Sequence, residues 1–130
     1  MVSEMTEANV SVLIVDDQPP YRGAARAVIR LTPGFEVVGE AETGEQAVEL
    51  ARDLQPDVVL MDINMPGING IEAARQILAQ RDSTCVILLS TYQADDLPAD
   101  AVTIGAAAYV HKEDFGPQVV RDIWDARASA

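Results

Sequence analysis

Short apolar runs alternate along the chain with longer segments whose apolar residues recur every three or four positions, the pattern of strand–helix units. Five runs read as strands: Val10–Val15, Phe35–Ala41, Val58–Met61, Cys85–Ser90 and Ala107–Val110. The first, third and fourth are apolar almost without alternation, as strands buried on both faces are, so these three are expected at the centre of a parallel sheet. The first helical segment starts near Pro19 or Pro20, shows Tyr21, Ala24, Val28 and Leu31 on one face, and stops at Thr32-Pro33-Gly34. A second shows Ala47, Leu50, Ala51 and Leu54, and a third Ile71, Ala74 and Leu78. A fourth, near Leu97 to Ile104, is short and crowded by Asp95, Asp96, Pro98 and Asp100 before Gly105. The fifth runs from Phe115 to Ala126 with Phe115, Val119 and Ile123 facing inward. On that helix Trp124 points about 140° away from the inward stripe. It is expected as an outer patch with Val120 for a partner, or as a partly covered surface tryptophan.

Right-handed crossovers in a chain of five such units favour an α/β doubly wound sheet, whose ligand site lies beyond the carboxyl ends of the strands. The expected organisation is a disordered tail over residues 1–9, one domain over 10–127 and a short tail over 128–130, with no effector segment before Ala130. At 130 residues and 48% hydrophobic content the chain can bury a real core, and with only 5% aromatics that core is filled by Val, Ile, Leu and Ala. The net charge of −12 opposes contact with phosphate backbones, so the chain is not expected to bind nucleic acid directly. Its acidity reads first as a solvated surface. The single cysteine, Cys85, sits in an apolar run and reads as a core thiol in a reducing compartment. The polar start is neither a signal nor a transit peptide, and no run approaches the roughly 18 apolar residues of a membrane span. A cytoplasmic location away from membranes is therefore expected.

Candidate chemistry collects where the strands end. Asp16 and Asp17 follow the first strand, and Asp62 follows the third. Two carboxylates ~4 Å apart repel by about 4 kcal/mol at an effective dielectric near 20, so such a cluster needs a cation. Oxygen ligands select a hard ion, and Mg²⁺ uses one or two carboxylates while keeping several waters. Taken singly, Asp16-Asp17 reads equally well as a helix cap and Asp62 as the start of a turn. Ser90 closes the fourth strand and Lys112, the only lysine, follows the fifth. A polar strand end and an exposed cation are the ordinary readings of these two, but neither explains why both fall at carboxyl ends alongside three aspartates. His111, the sole histidine, reads as a surface residue rather than a phosphodonor, and Met61 and Met65 read as packing. Neither a glycine-rich dinucleotide fingerprint nor a Walker lysine motif occurs.

From Ser11 to about Ala126 the chain resembles a response-regulator receiver domain of two-component signalling. The resemblance rests on Val12-Leu13-Ile14-Val15-Asp16-Asp17, Leu60-Met61-Asp62-Ile63-Asn64-Met65-Pro66-Gly67 and Gly70, with Ser90, Gly105, Tyr109 and Lys112 completing the set. Glu36-Val37-Val38-Gly39-Glu40-Ala41, Gly105-Ala106-Ala107-Ala108-Tyr109 and Glu113 after Lys112 are similar to the subgroup whose output is a LuxR-type helix-turn-helix. The resemblance implies a flavodoxin-like five-stranded parallel sheet in order 2-1-3-4-5 with five helices. It implies that Asp62 accepts a phosphoryl group from a sensor histidine kinase, and that Mg²⁺ is held by Asp16, Asp17, Asp62 and the backbone carbonyl of Asn64. Ser90 would bond the phosphoryl group, and Lys112 would pair first with Asp62 and then with the phosphate. Ser90 and Tyr109 would form a switch that changes the face made by the fourth helix, fifth strand and fifth helix.

Such a protein is no enzyme beyond its own phosphorylation and a slow autodephosphorylation. Its expected partners are the kinase, a second copy of itself and an output domain outside this chain that regulates transcription. Two positions depart from the usual pattern: Thr91 is bulkier than the common residue and narrows access to the phosphoryl group, and Pro98 interrupts the fourth helix. A receiver-like binding module that works without phosphorylation is the competing reading, opposed by the intact set Asp16, Asp17, Asp62, Ser90 and Lys112. A magnesium-dependent phosphohydrolase is a further one. It is opposed by Asn64, which stands where such enzymes favour a second catalytic aspartate.

Overall fold

The structure, a computed structural model, describes residues 9–65, 68–91 and 103–129. In chain order the elements are β1 (Val10–Val15), α1 (Pro19–Arg30), β2 (Phe35–Ala41), α2 (Gly44–Leu54), β3 (Val58–Asp62), α3 (Gly70–Gln80), β4 (Cys85–Ser90), β5 (Ala108–His111), a 3₁₀ turn (Lys112–Asp114) and α4 (Pro117–Ser129). The fourth helical segment expected from the sequence lies outside the described residues except for Thr103 and Ile104, which form a turn. The C-terminal helix is therefore labelled α4 here.

Local chemistry sets the helix starts. Pro19 and Pro20 occupy the first positions of α1, where a missing N–H costs nothing. Thr43 caps α2 by accepting from the Gln46 N–H, and the Gln46 side chain accepts from the Glu42 N–H in return. Asn69 caps α3 by accepting from the Glu72 N–H. Each such cap stabilises its helix by about 1 kcal/mol.

All strand pairs are parallel, in the order β2-β1-β3-β4-β5. β3 and β4 are buried throughout and β1 over its last four residues, whereas β2 alternates and β5 is half-buried. The expected central strands are thus the observed ones. One sheet face, with Leu13, Val15, Val59, Met61, Val86 and Leu88, packs on Ala47 and Ala51 of α2 and Ile71, Ala74 and Ile77 of α3. The other, with Val12, Ile14, Val58, Leu60, Ile87 and Leu89, packs on Ala25 and Ile29 of α1 and Val120 of α4. Cys85 lies in this second core as a free thiol, its pKa pushed up by burial to about 11. Met61 and Met65 are buried, in keeping with packing roles.

Two helix faces differ from expectation. On α1 the buried positions are Ala25 and Ile29, while Ala24 is exposed and Leu31 is 71% exposed. Both stripes have helical spacing in this alanine-rich segment, and packing on the sheet selects the one containing Ile29. On α4, Ile123 packs against the core as expected, as does Phe115 just before the helix, but Val120 is fully buried there and Trp124 packs against the same core. Trp124 meets Phe35 edge-on at 6.3 Å and is covered by the Arg127 guanidinium at 3.9 Å, so the expected outer patch of Val120 and Trp124 does not exist. The cause is where the helix starts. Phe115 precedes Pro117 with an extended backbone, so it does not share the helical phase that placed Trp124 outside. The helix also runs to Ser129, past the end expected at Ala126.

At the amino ends of the strands, Asp57 ties β3 to β1. Its carboxylate accepts from both the backbone N–H and the hydroxyl of Ser11, while its own N–H donates to the Ser11 hydroxyl oxygen. Arg81 closes the same end by donating to the carbonyls of Gln55 and Pro56.

Candidate functional site

At the opposite end, where β1, β3, β4 and β5 finish, the expected residues converge. β1 stops at Val15, so Asp16 and Asp17 fall at its carboxyl end, and Asp62 is the last residue of neighbouring β3. Asp16 and Asp62 are buried, and Asp17 is half-buried. One carboxylate oxygen from each of the three lies within 4.8 Å of the others. Two backbone bonds orient the cluster. Asp16 Oδ1 accepts from the Gln18 N–H at 2.8 Å, and Asp62 Oδ1 accepts from the Asn64 N–H at 3.1 Å.

Lys112 begins the turn after β5 and reaches back into the cluster. Its Nζ donates to Asp16 Oδ2 at 2.7 Å and stands 3.6 Å from Asp62 Oδ1. The shorter contact is to Asp16 and not to Asp62, with which the ammonium was expected to pair first. Asp62 Oδ1 already accepts the Asn64 N–H, whereas Asp16 Oδ2 is turned toward the ammonium. Burial raises the Asp62 carboxyl to about 6; the Asn64 N–H opposes this, Asp16 adds to it, Lys112 opposes it and Asp17 adds again.

The backbone here is crowded for a reason. Gly70 opens α3 against the end of β3, and a Cβ on it would lie 2.0 Å from the Asp62 carbonyl oxygen and 2.6 Å from the Ile63 Cα. Only glycine lets the helix approach the strand end that carries Asp62. Ser90, buried, ends β4 directly opposite His111 of β5, two residues past the Leu88–Tyr109 pair. Residues in register and two apart share a face of the sheet, so Ser90 and Tyr109 look to the same side. Tyr109 packs there against the core shared with α2 and α3.

Three residues given no role at the site by the sequence contribute to it or lie beside it. Tyr21, expected only as an apolar face residue, lays its ring under the Lys112 ammonium at 4.5 Å from the centroid. Arg22 donates to the Asp16 carbonyl at 2.7 Å and lies 3.5 Å from Glu40, which also pairs with Arg26. His111 lies half-buried at the end of β5, where its Nδ1 accepts from the Glu113 N–H and its Nε2 is 3.0 Å from the Thr91 carbonyl oxygen. An accepting Nδ1 assigns the proton to Nε2, which donates to Thr91 and ties β5 to the residue after Ser90. An aromatic directly after the two prolines that start α1 was the available signal for Tyr21. His111 carried none, because its partner is twenty residues away, just past the end of another strand.

Residues 12–123 match the family described as the response regulator receiver domain. The chain belongs to that family. It is 40% identical over 114 residues to the response regulator UvrY of Escherichia coli (strain K12), covering 88% of this chain and 52% of the relative. Among solved structures, a two-component response regulator of the LuxR family from Aurantimonas superposes with a TM-score of 0.83 at 32% identity, covering 94% of this chain and 87% of that one. The receiver of the putative response regulator NarL from Mycobacterium tuberculosis superposes at 0.85 with 30% identity, covering 95% and all of the two chains. The receiver spans about half the length of the curated relatives it matches. The likeness to LuxR-family receivers agrees with the subgroup resemblance of the sequence, and such domains are signalling proteins rather than conventional enzymes. No described helix is long and apolar enough to cross a membrane.

The aspartate cluster also suits the magnesium ion that receivers bind. Three carboxylates facing one ammonium leave two negative charges within a few ångströms, and the donors are hard oxygens.

Proposed function

We propose that this receiver is a phosphorylation-dependent switch in which Asp62 accepts a phosphoryl group from a sensor histidine kinase. The observation that supports this most is the trio of buried Asp16, half-buried Asp17 and buried Asp62, with Lys112 held between Asp16 and Asp62. In the transfer, an Asp62 carboxylate oxygen forms a bond to phosphorus as the phosphorus–nitrogen bond of the donor breaks, and the imidazole leaves with the electron pair. Asp16, Asp17, Asp62 and the Asn64 carbonyl would hold Mg²⁺, which offsets charge on the phosphoryl oxygens. Lys112 supplies a second positive charge, and Ser90 offers a hydroxyl to the incoming group. Positioning and electrostatics do nearly all the work in such a transfer. The aspartyl phosphate would then be lost by slow autodephosphorylation, with Thr91 beside the entry.

The signal leaves the site through Ser90 and Tyr109. They share a sheet face, so drawing the Ser90 hydroxyl toward a phosphoryl group changes the space beside the Tyr109 ring. The face of β5 and α4 then changes, favouring a second copy of the chain or releasing an output domain that regulates transcription. This unit, residues 10–127, works in the cytoplasm and leaves DNA contact to that output domain, since its net charge of −12 opposes phosphate contact.

Intact-mass spectrometry after incubation with acetyl phosphate and Mg²⁺ tests the assignment. One phosphoryl group is expected on the parent and none on Asp62→Asn. Equal loading of that variant refutes the assignment, and multiple turnovers of a phosphomonoester would favour a phosphohydrolase instead.

A further inference from the structure

We propose that Tyr21 is a positioning residue for Lys112, its ring forming the third wall of the socket that fixes the ammonium against Asp16 and Asp62. The proposal rests on the reading of Asp62 as phosphoacceptor and adds to it a side chain outside the aspartate, serine and lysine set.

Among the described residues, Lys112 Nζ lies against two carboxylates and one ring: Asp16 Oδ2 at 2.7 Å, Asp62 Oδ1 at 3.6 Å and the centre of the Tyr21 ring at 4.5 Å. Two carboxylates attract the ammonium but do not hold it still, because a lysine stem is flexible and a point charge slides between acceptors with little change in energy. A ring face at this distance attracts the cation through its quadrupole and takes one side of it out of water. The ammonium is left facing the carboxylates, where its charge is of use to a phosphoryl oxygen.

The backbone ties the ring to the same carboxylate. Asp16 Oδ1 accepts from the Gln18 N–H, and the Gln18 carbonyl accepts from the Tyr21 N–H at 3.1 Å. Between these two residues, Pro19 and Pro20 have φ preset for the first helical turn. Asp16, Gln18, Tyr21 and Lys112 therefore form a closed circuit in which the ring and the ammonium are registered to opposite oxygens of one carboxylate. Burial, then the charges of Asp16 and Asp62, push the Tyr21 phenol up to about 12, so the ring stays neutral over the working range.

Because Lys112 is the only lysine, a chain grown with carbon-13 lysine gives a single ε-methylene resonance, which reads the contact without reference to activity. The ring current of Tyr21 should hold that resonance upfield in the parent and in Tyr21→Phe, and release it in Tyr21→Leu. With acetyl phosphate at saturating Mg²⁺, phosphorylation should slow about two- to thirtyfold in Tyr21→Leu, the range set by a cation–π contact between the exposed and the desolvated limit. Tyr21→Phe, which keeps the ring face, should rescue the rate. Tyr21→Met, unbranched and able to fill the same space, replaces Tyr21→Leu if the latter does not fold. An unmoved lysine resonance in Tyr21→Leu overturns the contact. A moved resonance with an unchanged rate, or a Tyr21→Phe chain as slow as Tyr21→Leu, overturns the positioning role. A parent chain whose resonance responds to the substitution yet takes no phosphoryl group overturns the reading of Asp62 and, with it, the role of Tyr21 in phosphorylation.

Discussion

Lys112 is shared unequally between two buried carboxylates, 2.7 Å from Asp16 and 3.6 Å from Asp62, with the closer contact to the residue that is not the proposed acceptor. An ammonium in that place competes with a metal ion for Asp16. Replacing Lys112 by Met should therefore tighten Mg²⁺ binding by about tenfold, the effect of roughly 1.4 kcal/mol of relieved competition after screening. In the absence of metal the same variant leaves Asp16 uncompensated and should lose about 3 kcal/mol of stability. Calorimetric titration and urea unfolding read the two effects, and unchanged Mg²⁺ affinity would show that the ammonium and the ion do not compete.

Asp62 should contribute less stability to the metal-free protein at neutral pH than in mild acid. Its carboxyl is raised from an ordinary 3.8 to about 6 on folding, chiefly by burial. Between those values the folded chain keeps a proton that the unfolded chain has released. The stabilisation this gives is complete below about 3.8 and declines as pH rises through about 6. The two-unit difference corresponds to about 3 kcal/mol. Asp62→Asn removes the dependence, so it should be more stable than the parent at pH 7.5 by up to that amount and no more stable at pH 4. Urea unfolding of both chains in a chelating buffer measures the difference, and parallel pH profiles would contradict it.

Gly70→Ala places a methyl group 2.0 Å from the Asp62 carbonyl oxygen, closer than backbone atoms tolerate, so α3 must move from the end of β3. The cost should be at least about 3 kcal/mol, the upper range for overpacking. Ala73→Gly, in the buried middle of the same helix, serves as comparison and should cost about 1 kcal/mol from propensity plus its lost methyl contacts. Chemical unfolding ranks the two. An equal or smaller loss for Gly70→Ala would mean that the strand end yields more easily than its packing suggests.

If Ser90 and Tyr109 transmit the state of Asp62, a stable phosphoryl mimic should alter amide-exchange protection across residues 94–126 and change the sedimenting mass. Moving a population from 1:99 to 99:1 needs about 5.5 kcal/mol of differential stabilisation, which a few charge-assisted hydrogen bonds to a buried phosphoryl group can approach. Ser90→Ala should abolish most of that response while leaving Asp62 able to be loaded. Protection and mass that stay constant with the mimic bound would reject the coupling.

The sheet and the charged set at its edge were legible because each rests on a local signal. Apolar runs end at Val15, Met61 and Leu89, and the next residues are Asp16, Asp62 and Ser90, so chemistry and strand ends coincide in the chain itself. Helix phase was less legible. α1 offers two stripes of equal spacing, and only the sheet prefers Ala25 and Ile29 to Ala24 and Leu31. In α4 a single extended residue, Phe115, set the wrong phase and turned a buried Val120 into an apparent surface residue. Tyr21 and His111 were hidden for a different reason. Their roles depend on a cation and a carbonyl brought in by other strands, and neither helical nor strand periodicity encodes such a partner.

The bond set of Asp57 with Ser11 gives the molecule two poles with different tolerance to change. Substitutions that cut this tie should lower the fraction of chains that are folded while leaving each folded chain as reactive as before, because the tie lies at the far end of the strands from Asp62. Changes at the Ser11–Asp57 pole are therefore read in the fraction folded, and changes at the acidic pole in the reactivity of the folded chain.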